Sequence, residues 1–246
     1  MRFATAALLA LAMPVAAEDL TIVSKTTGPD QPATSTDYLT ATMARYQSGD
    51  RDRIIDMKTG RIVTIDHKKR EWSEITAAEI EAAMKKSQAQ MDQAMAGMPP
   101  AVREKMQAMT GGAAASLKVT KGGTRTVAGY TCNEYNLSWG AAMTQVMCST
   151  TAIALPFDLV QLRKLMTSSN PSMARMMGNM ETLTKEMEQI KGLPIAETTT
   201  LQMMGKPMVT TKEATEIKKG PIPASAFEVP AGYKKVESPL AKMGQR

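Results

Sequence analysis

From Leu20 to Ile75 apolar and polar residues alternate with period two, and turn signals cut the pattern every few residues. Alternation with turns this close together favours short antiparallel strands. Leu20–Ser24 reads as a first strand. Asp37–Gln47 reads as one longer strand, with Tyr38, Thr40, Thr42, Ala44 and Tyr46 on one side and Leu39, Ala41 and Met43 on the other. Gly49-Asp50 turns the chain into a strand over Arg53–Met57. Lys58-Thr59-Gly60 turns it again into Arg61–Asp66, and Trp72 closes the meander near Ile75. His67-Lys68-Lys69-Arg70 is expected to be a solvated basic turn, with His67 as a plain turn residue.

The period then changes. Thr76-Ala77-Ala78-Glu79 has the form of a capping box, in which Thr caps the N3 amide and Glu reaches back. Ile80, Met84, Met91, Met95 and Met98 follow on one helical face until Pro99-Pro100. A second helical piece carries Met106 and Met109 and stops at Gly111-Gly112. Strands resume at Leu117–Thr120 and Arg125–Val127, with Gly122-Gly123 read as a turn between them. A second helical insert is expected to begin at Leu155-Pro156-Phe157. Asn170-Pro171 restarts it with a cap and a first-turn proline. Met173, Met176, Met180, Leu183, Met187 and Ile190 then form an apolar seam that Gly192 ends. Two last strands, Ile195–Met203 and Met208–Ile217, flank a Gly205-Lys206 turn.

The expected fold class is α+β: an antiparallel sheet interrupted by helical inserts at about 76–110 and 156–191. Of the 22 methionines, 12 lie in those inserts. Three uses compete for them. They can pack as an ordinary helix-on-sheet core, or they can form an adaptable apolar surface for a lipid, an acyl chain or a partner. The third use, Cu(I) binding, rests on Met173, Met176, Met177 and Met180, since thioethers favour that ion. A helix cannot turn all four to one side, and no His or Cys reinforces them, so no metal is assigned.

Residues 1–17 read as an export signal, with Arg2, an apolar stretch over Ala6–Met13, and small residues at Val15-Ala16-Ala17. Cleavage near Ala17 places the protein in the periplasm, and no later run is long enough to span a bilayer as a helix. In that compartment Cys132 and Cys148, the only cysteines, can form a disulfide. Each stands eight residues from Gly140, so a symmetric hairpin sets them opposite one another.

Catalysis is not expected. A single His, no G-x-S-x-G elbow and no phosphate-binding glycine loop leave no catalytic residues to assign, and the carboxylates look scattered with no obvious buried pair for glycoside chemistry. The formal charge of +6 is spread along the chain, which points away from nucleic acid. No cofactor is expected.

Three segments carry a resemblance: Val127-Ala128-Gly129-Tyr130-Thr131-Cys132-Asn133-Glu134-Tyr135, Lys191-Gly192-Leu193-Pro194, and Ile222–Tyr233 with its F-E-V-P-x-G-Y close. In their order and spacing they resemble an uncharacterised family of exported bacterial proteins known only as a domain of unknown function. That family is similar to the periplasmic lipoprotein carriers and receptors of the LolA/LolB type. The resemblance implies a curved antiparallel β-sheet, a half-barrel with helices over an apolar concave face, as a single domain over 18–236 with a flexible tail at 237–246.

The function expected on this basis is non-enzymatic binding of a hydrophobic ligand or an apolar partner surface. The candidate ligand-binding residues are Met84, Met91, Met95, Met173, Met176, Met180 and Leu183. The alternative is an interaction or envelope stress module with a filled core and no pocket.

Overall fold

The computed structural model describes residues 18–29, 33–97, 99, 117–140, 143–158, 185–203 and 206–239. The strands are β1 (Leu20–Thr27), β2 (Ala33–Leu39), β3 (Met43–Ser48), β4 (Arg51–Asp56), β5 (Arg61–Asp66) and β6 (Glu71–Ile75). After helix α1 (Ala77–Ala96) come β7 (Lys118–Val127), β8 (Tyr130–Trp139), β9 (Met143–Thr150), β10 (Leu193–Met203) and β11 (Lys206–Lys219). A 3₁₀ turn, η1 (Ala224–Phe227), and the short β12 (Lys234–Lys235) complete the chain. The twelve strands of the described residues form one sheet in the order β12-β6-β5-β4-β3-β2-β1-β11-β10-β9-β8-β7. Every pairing is antiparallel except β12 with β6. The two halves of the chain meet where β1 pairs β11, from Leu20↔Lys219 to Thr27↔Thr211.

The sheet is open and curved. Arg125 on the edge strand β7 holds Glu213 on β11 at 2.7 Å. Four strand spacings separate those strands, about 19 Å if the sheet were flat, so the ion pair requires a strong curl.

The first meander matches the sequence pattern closely, with one correction. Asp37–Gln47 is two strands, not one. The Thr40 hydroxyl accepts the amides of Thr42 and Met43, and the Thr40 amide donates to the Met43 carbonyl at 2.8 Å. That tight turn resets the alternation. Tyr46 stands opposite Asp37 rather than sharing a side with Tyr38, which faces Arg45.

A second correction concerns Gly122-Gly123. They form a bulge within the continuous strand β7, where the register with β8 shifts between Lys121 and Thr124. The hairpin after it is a two-residue loop, Ala128-Gly129, with φ of 48° and 83° between the paired Val127 and Tyr130. Positive φ at both positions suits a type I′ turn, and alanine is strained there by about 1–2 kcal/mol. Ala128→Asn is therefore expected to raise stability by up to about 1 kcal/mol, or about 2–4 °C in thermal melts. A lower melting temperature would contradict this loop geometry.

The Thr76–Glu79 capping box forms as expected: the Thr76 amide donates to Glu79 Oε2 at 2.8 Å and the Glu79 amide to Thr76 Oγ1 at 3.2 Å. Behind it α1 is fastened by Ile80, which is buried with Ile55, Met57, Ile62 and Ile75. Burying one such side chain contributes about 1.5–3 kcal/mol.

The described residues are mostly β. Of the first insert α1 is seen, to Ala96, while the second helical piece expected at Met106 and Met109 lies outside the described residues. At the predicted start of the second, Leu155–Asp158 is irregular rather than helical, and the insert re-enters the described residues only at Lys185. No described helix is long and apolar enough to cross a membrane.

The main core runs from Leu20, Ile22 and Leu39 through the β3–β6 residues and on to Ile153, Leu193, Ile195 and the disulfide. A second cluster gathers Val119, Tyr135, Leu137, Trp139 and Ile190. The third lies on the other side of β3–β6. There Ile54, Val63 and Ile65 are covered by Phe227, Val229 and Tyr233 of the C-terminal segment.

Candidate functional site

A cavity of about 310 Å³ opens beside the β1–β11 junction, where the two halves of the chain join. Its apolar wall includes Ile22 and Leu39 from β1 and β2, Met147 from β9, and Leu193 and Ile195 from β10. Leu155 and Phe157, in the irregular segment after β9, close one side. The proline between them helps account for this use: it disfavours helix at Leu155, so the segment packs its two large side chains instead.

Besides Ser24 on β1, four titratable side chains enter this apolar setting, two from each half of the chain. Asp37 and Tyr46 are cross-strand partners on β2 and β3; Glu197 and Lys212 are cross-strand partners on β10 and β11. Lys212 Nζ donates to Asp37 Oδ2 at 2.9 Å, joining positions 175 apart in the chain. Glu197 Oε2 accepts the Gln145 side-chain amide at 3.0 Å, and that amide also lies 3.3 Å from the Thr199 hydroxyl.

Burial governs the titration of these groups. It pushes the Asp37 carboxyl above the usual aspartate range even though Lys212 opposes it by charge and hydrogen bond. It raises Glu197 as well, with Lys212 opposing and the nearby Asp37 adding to the rise. The Tyr46 hydroxyl is driven upward by burial and then by Asp37, with Arg53 opposing. Two carboxyls that resist ionisation and one ammonium thus line a cavity that is otherwise apolar.

Scattered in sequence, the buried Asp37 and the half-buried Glu197 are brought to one cavity by the β1–β11 pairing. A clue was present, since each is the only charged residue on its strand. Among the described residues no group of three His, Cys, Asp or Glu side chains could hold a metal ion.

The predicted ligand-binding residues are distributed differently. Met84, Met91 and Met95 lie on α1, but their side chains are outside the described residues, and Met173, Met176, Met180 and Leu183 are outside them altogether. Among the described residues the methionine that lines the cavity is Met147, on a strand.

The disulfide Cys132–Cys148 is present, with Cα atoms 5.4 Å apart. The cysteines are not directly opposite. Trp139 pairs Met143 and Asn133 pairs Ser149, so the hairpin is centred on Ala141 and the bond runs diagonally.

His67 is more than a turn residue. Its Nε2 lies 3.1 Å from the buried Asp52 carboxylate and its Nδ1 2.9 Å from the Tyr233 hydroxyl.

Residues 101–233, just over half of the chain, match the family model described as Domain of unknown function (DUF4412). The chain belongs to this family. The match spans all three motif segments read from the sequence. No curated protein matches this DUF4412 chain.

Among solved structures it is similar to PNGF-II over 94% of its own length and 33% of that chain, at 11% identity and a TM-score of 0.44. It is similar to MucB in a complex with MucA(peri) over 89% of its length and 57% of that chain, at 10% identity and a TM-score of 0.40. A LolA superfamily protein from Nitrosomonas europaea aligns over 87% of this chain and 91% of that one, at 5% identity and a TM-score of 0.30. The DUF4412 chain thus spans a third of PNGF-II and somewhat over half of MucB.

Proposed function

We propose that the protein is a non-enzymatic periplasmic binder that holds the hydrophobic part of a lipid or acyl chain in the cavity beside the β1–β11 junction. The observation that carries this reading is the cavity itself: at about 310 Å³ it lies in the range of small-molecule sites, and its wall is chiefly apolar. A module with a filled core would lack it.

In this reading residues 1–17 direct export and residues 18–236 form one half-barrel domain ahead of the tail at 237–246. The helical inserts at about 76–110 and 156–191 cover one face. Met84, Met91, Met95, Met173, Met176, Met180 and Leu183 then serve as an adaptable lid over the bound chain, because unbranched thioethers repack at low cost.

Native mass spectrometry of protein purified from its own periplasm tests the proposal. The expected result is a co-purifying lipid-sized mass that organic extraction removes. Its absence in repeated preparations overturns the ligand reading.

A second reading is favoured by the β10–β11 hairpin, where Leu201 and Val209 are exposed near the end of the two longest strands. Exposed apolar side chains there suit contact with an apolar partner surface.

A further inference from the structure

We infer that the cavity takes an amphiphile with a protonated amine headgroup, seated against Glu197. The inference rests on the ligand-binding reading above and adds the headgroup chemistry to it.

It follows from an imbalance of charge around the cavity. The Asp37 carboxylate already has its counter-ion, since Lys212 Nζ reaches its Oδ2 at 2.9 Å. Lys212 acts on Glu197 through its field but makes its hydrogen bond to Asp37. Glu197 is the cross-strand neighbour of Lys212, but the lysine turns to Asp37. Among the described residues no cation stands within ion-pair distance of Glu197. Its direct donor is a neutral amide, Gln145, at 3.0 Å. Tyr46 adds a hydroxyl to the wall, and Arg53, the cross-strand partner of Tyr46, does not line it.

The ionised cavity therefore carries one negative charge in excess, set in an apolar wall. An uncompensated carboxylate there is costly, and burial already raises its pKa.

Three headgroups can be compared on these terms. A carboxylate or phosphate adds a second charge of the same sign and is repelled. A hydroxyl donates one hydrogen bond to the carboxylate and leaves the excess charge as it was. A primary ammonium supplies three donors and the missing charge, so its contact with the carboxylate joins two opposite ions. The apolar wall formed by Ile22, Leu39, Leu155 and Phe157 then takes the alkyl chain.

Isothermal titration of delipidated protein with decylamine, decanol and decanoic acid, each below its aggregation concentration, tests this. Decylamine is expected to bind at least about tenfold more tightly than decanol, with decanoic acid weakest. Glu197→Gln is expected to remove the advantage of decylamine over decanol. Equal or tighter binding of decanol or decanoic acid by the wild type overturns the headgroup inference while the cavity reading stands. If none of the three binds, both fall. If the Gln variant folds and keeps the amine preference, Glu197 is not the seat. The wild-type comparison needs no variant and so decides the headgroup even if that variant fails to fold.

Discussion

Replacing Asp52 by alanine is expected to cost about 3–5 kcal/mol, because it leaves a buried guanidinium without its anion. Arg45 and Asp52 are buried to 7% and 3% exposure and stand on β3 and β4. Arg45 Nε lies 3.1 Å from Asp52 Oδ2, and the same oxygen receives the Gln47 amide at 3.3 Å and faces His67 at 3.1 Å. The other arm of the guanidinium, Nη1, donates to the Ala226 carbonyl at 2.7 Å and to the Glu228 carbonyl at 3.4 Å. Asp52 thus orients the arginine that clamps η1 and the residue after it onto the sheet. His67 extends the clamp to Tyr233.

Two readouts should move together in Asp52→Ala. Urea denaturation should show the loss in stability, and limited proteolysis should cut first between Ala224 and Tyr233. The paired change Arg45→Met with Asp52→Leu should recover much of the loss, because apolar groups of similar size leave no buried charge behind. A loss below about 1 kcal/mol in the single variant would mean that water reaches the guanidinium and that the clamp is not dry.

Loss of the disulfide is expected to have the next largest effect. Cys132 and Cys148 are separated by 16 positions, and a loop of that size is worth about 3 kcal/mol through the unfolded chain. For a chain of this length that corresponds to about 6–12 °C in melting temperature.

Both cysteines are 1% exposed and pack in the main core with Val127, Ile153, Leu193 and Ile195. Two treatments therefore separate two effects. Reduction keeps both sulfurs in place and removes only the cross-link. The double change to alanine also removes buried volume and should cost more than reduction, as cavity-forming substitutions do. Calorimetry of the oxidised, reduced and double-alanine forms checks the order. Equal melting temperatures for the first two would show that the bond adds nothing to the hairpin.

The sequence pattern was most informative where local forces decide structure. Arg61–Asp66 forms the strand read for it, Lys58-Thr59-Gly60 the turn, and Thr76-Ala77-Ala78-Glu79 the helix cap. Each depends on neighbours in the chain: alternation against a single buried face, a left-handed glycine at Gly60, or a side chain returning to an amide three residues away. The failures were also local in origin but smaller in scale. Thr40 splits an apparently continuous alternation by bonding its own backbone, and a centre of symmetry displaced by one residue turns the opposed cysteines into diagonal ones.

The cavity was not legible in that way. Asp37 and Glu197 each look like one more surface charge, and Leu155 and Phe157 look like the start of a helix. What gives them meaning is the β1–β11 pairing, which sets β2 and β3 from the first meander against β10 from the end of the chain.

The same holds for the C-terminal segment. Its F-E-V-P-x-G-Y close marks the family, but only the folded molecule shows it covering Ile54, Val63 and Ile65 and receiving Arg45.

By itself, then, the sequence determined most of the strands and turns, the helix cap, the one possible disulfide, and the family, because these follow from spacing along the chain. Tertiary structure alone decided which charges are buried together, where the cavity opens and which residues line it. Those properties depend on desolvation and on charge-to-charge distance, and contacts made across 175 positions of chain leave no periodic trace in the sequence.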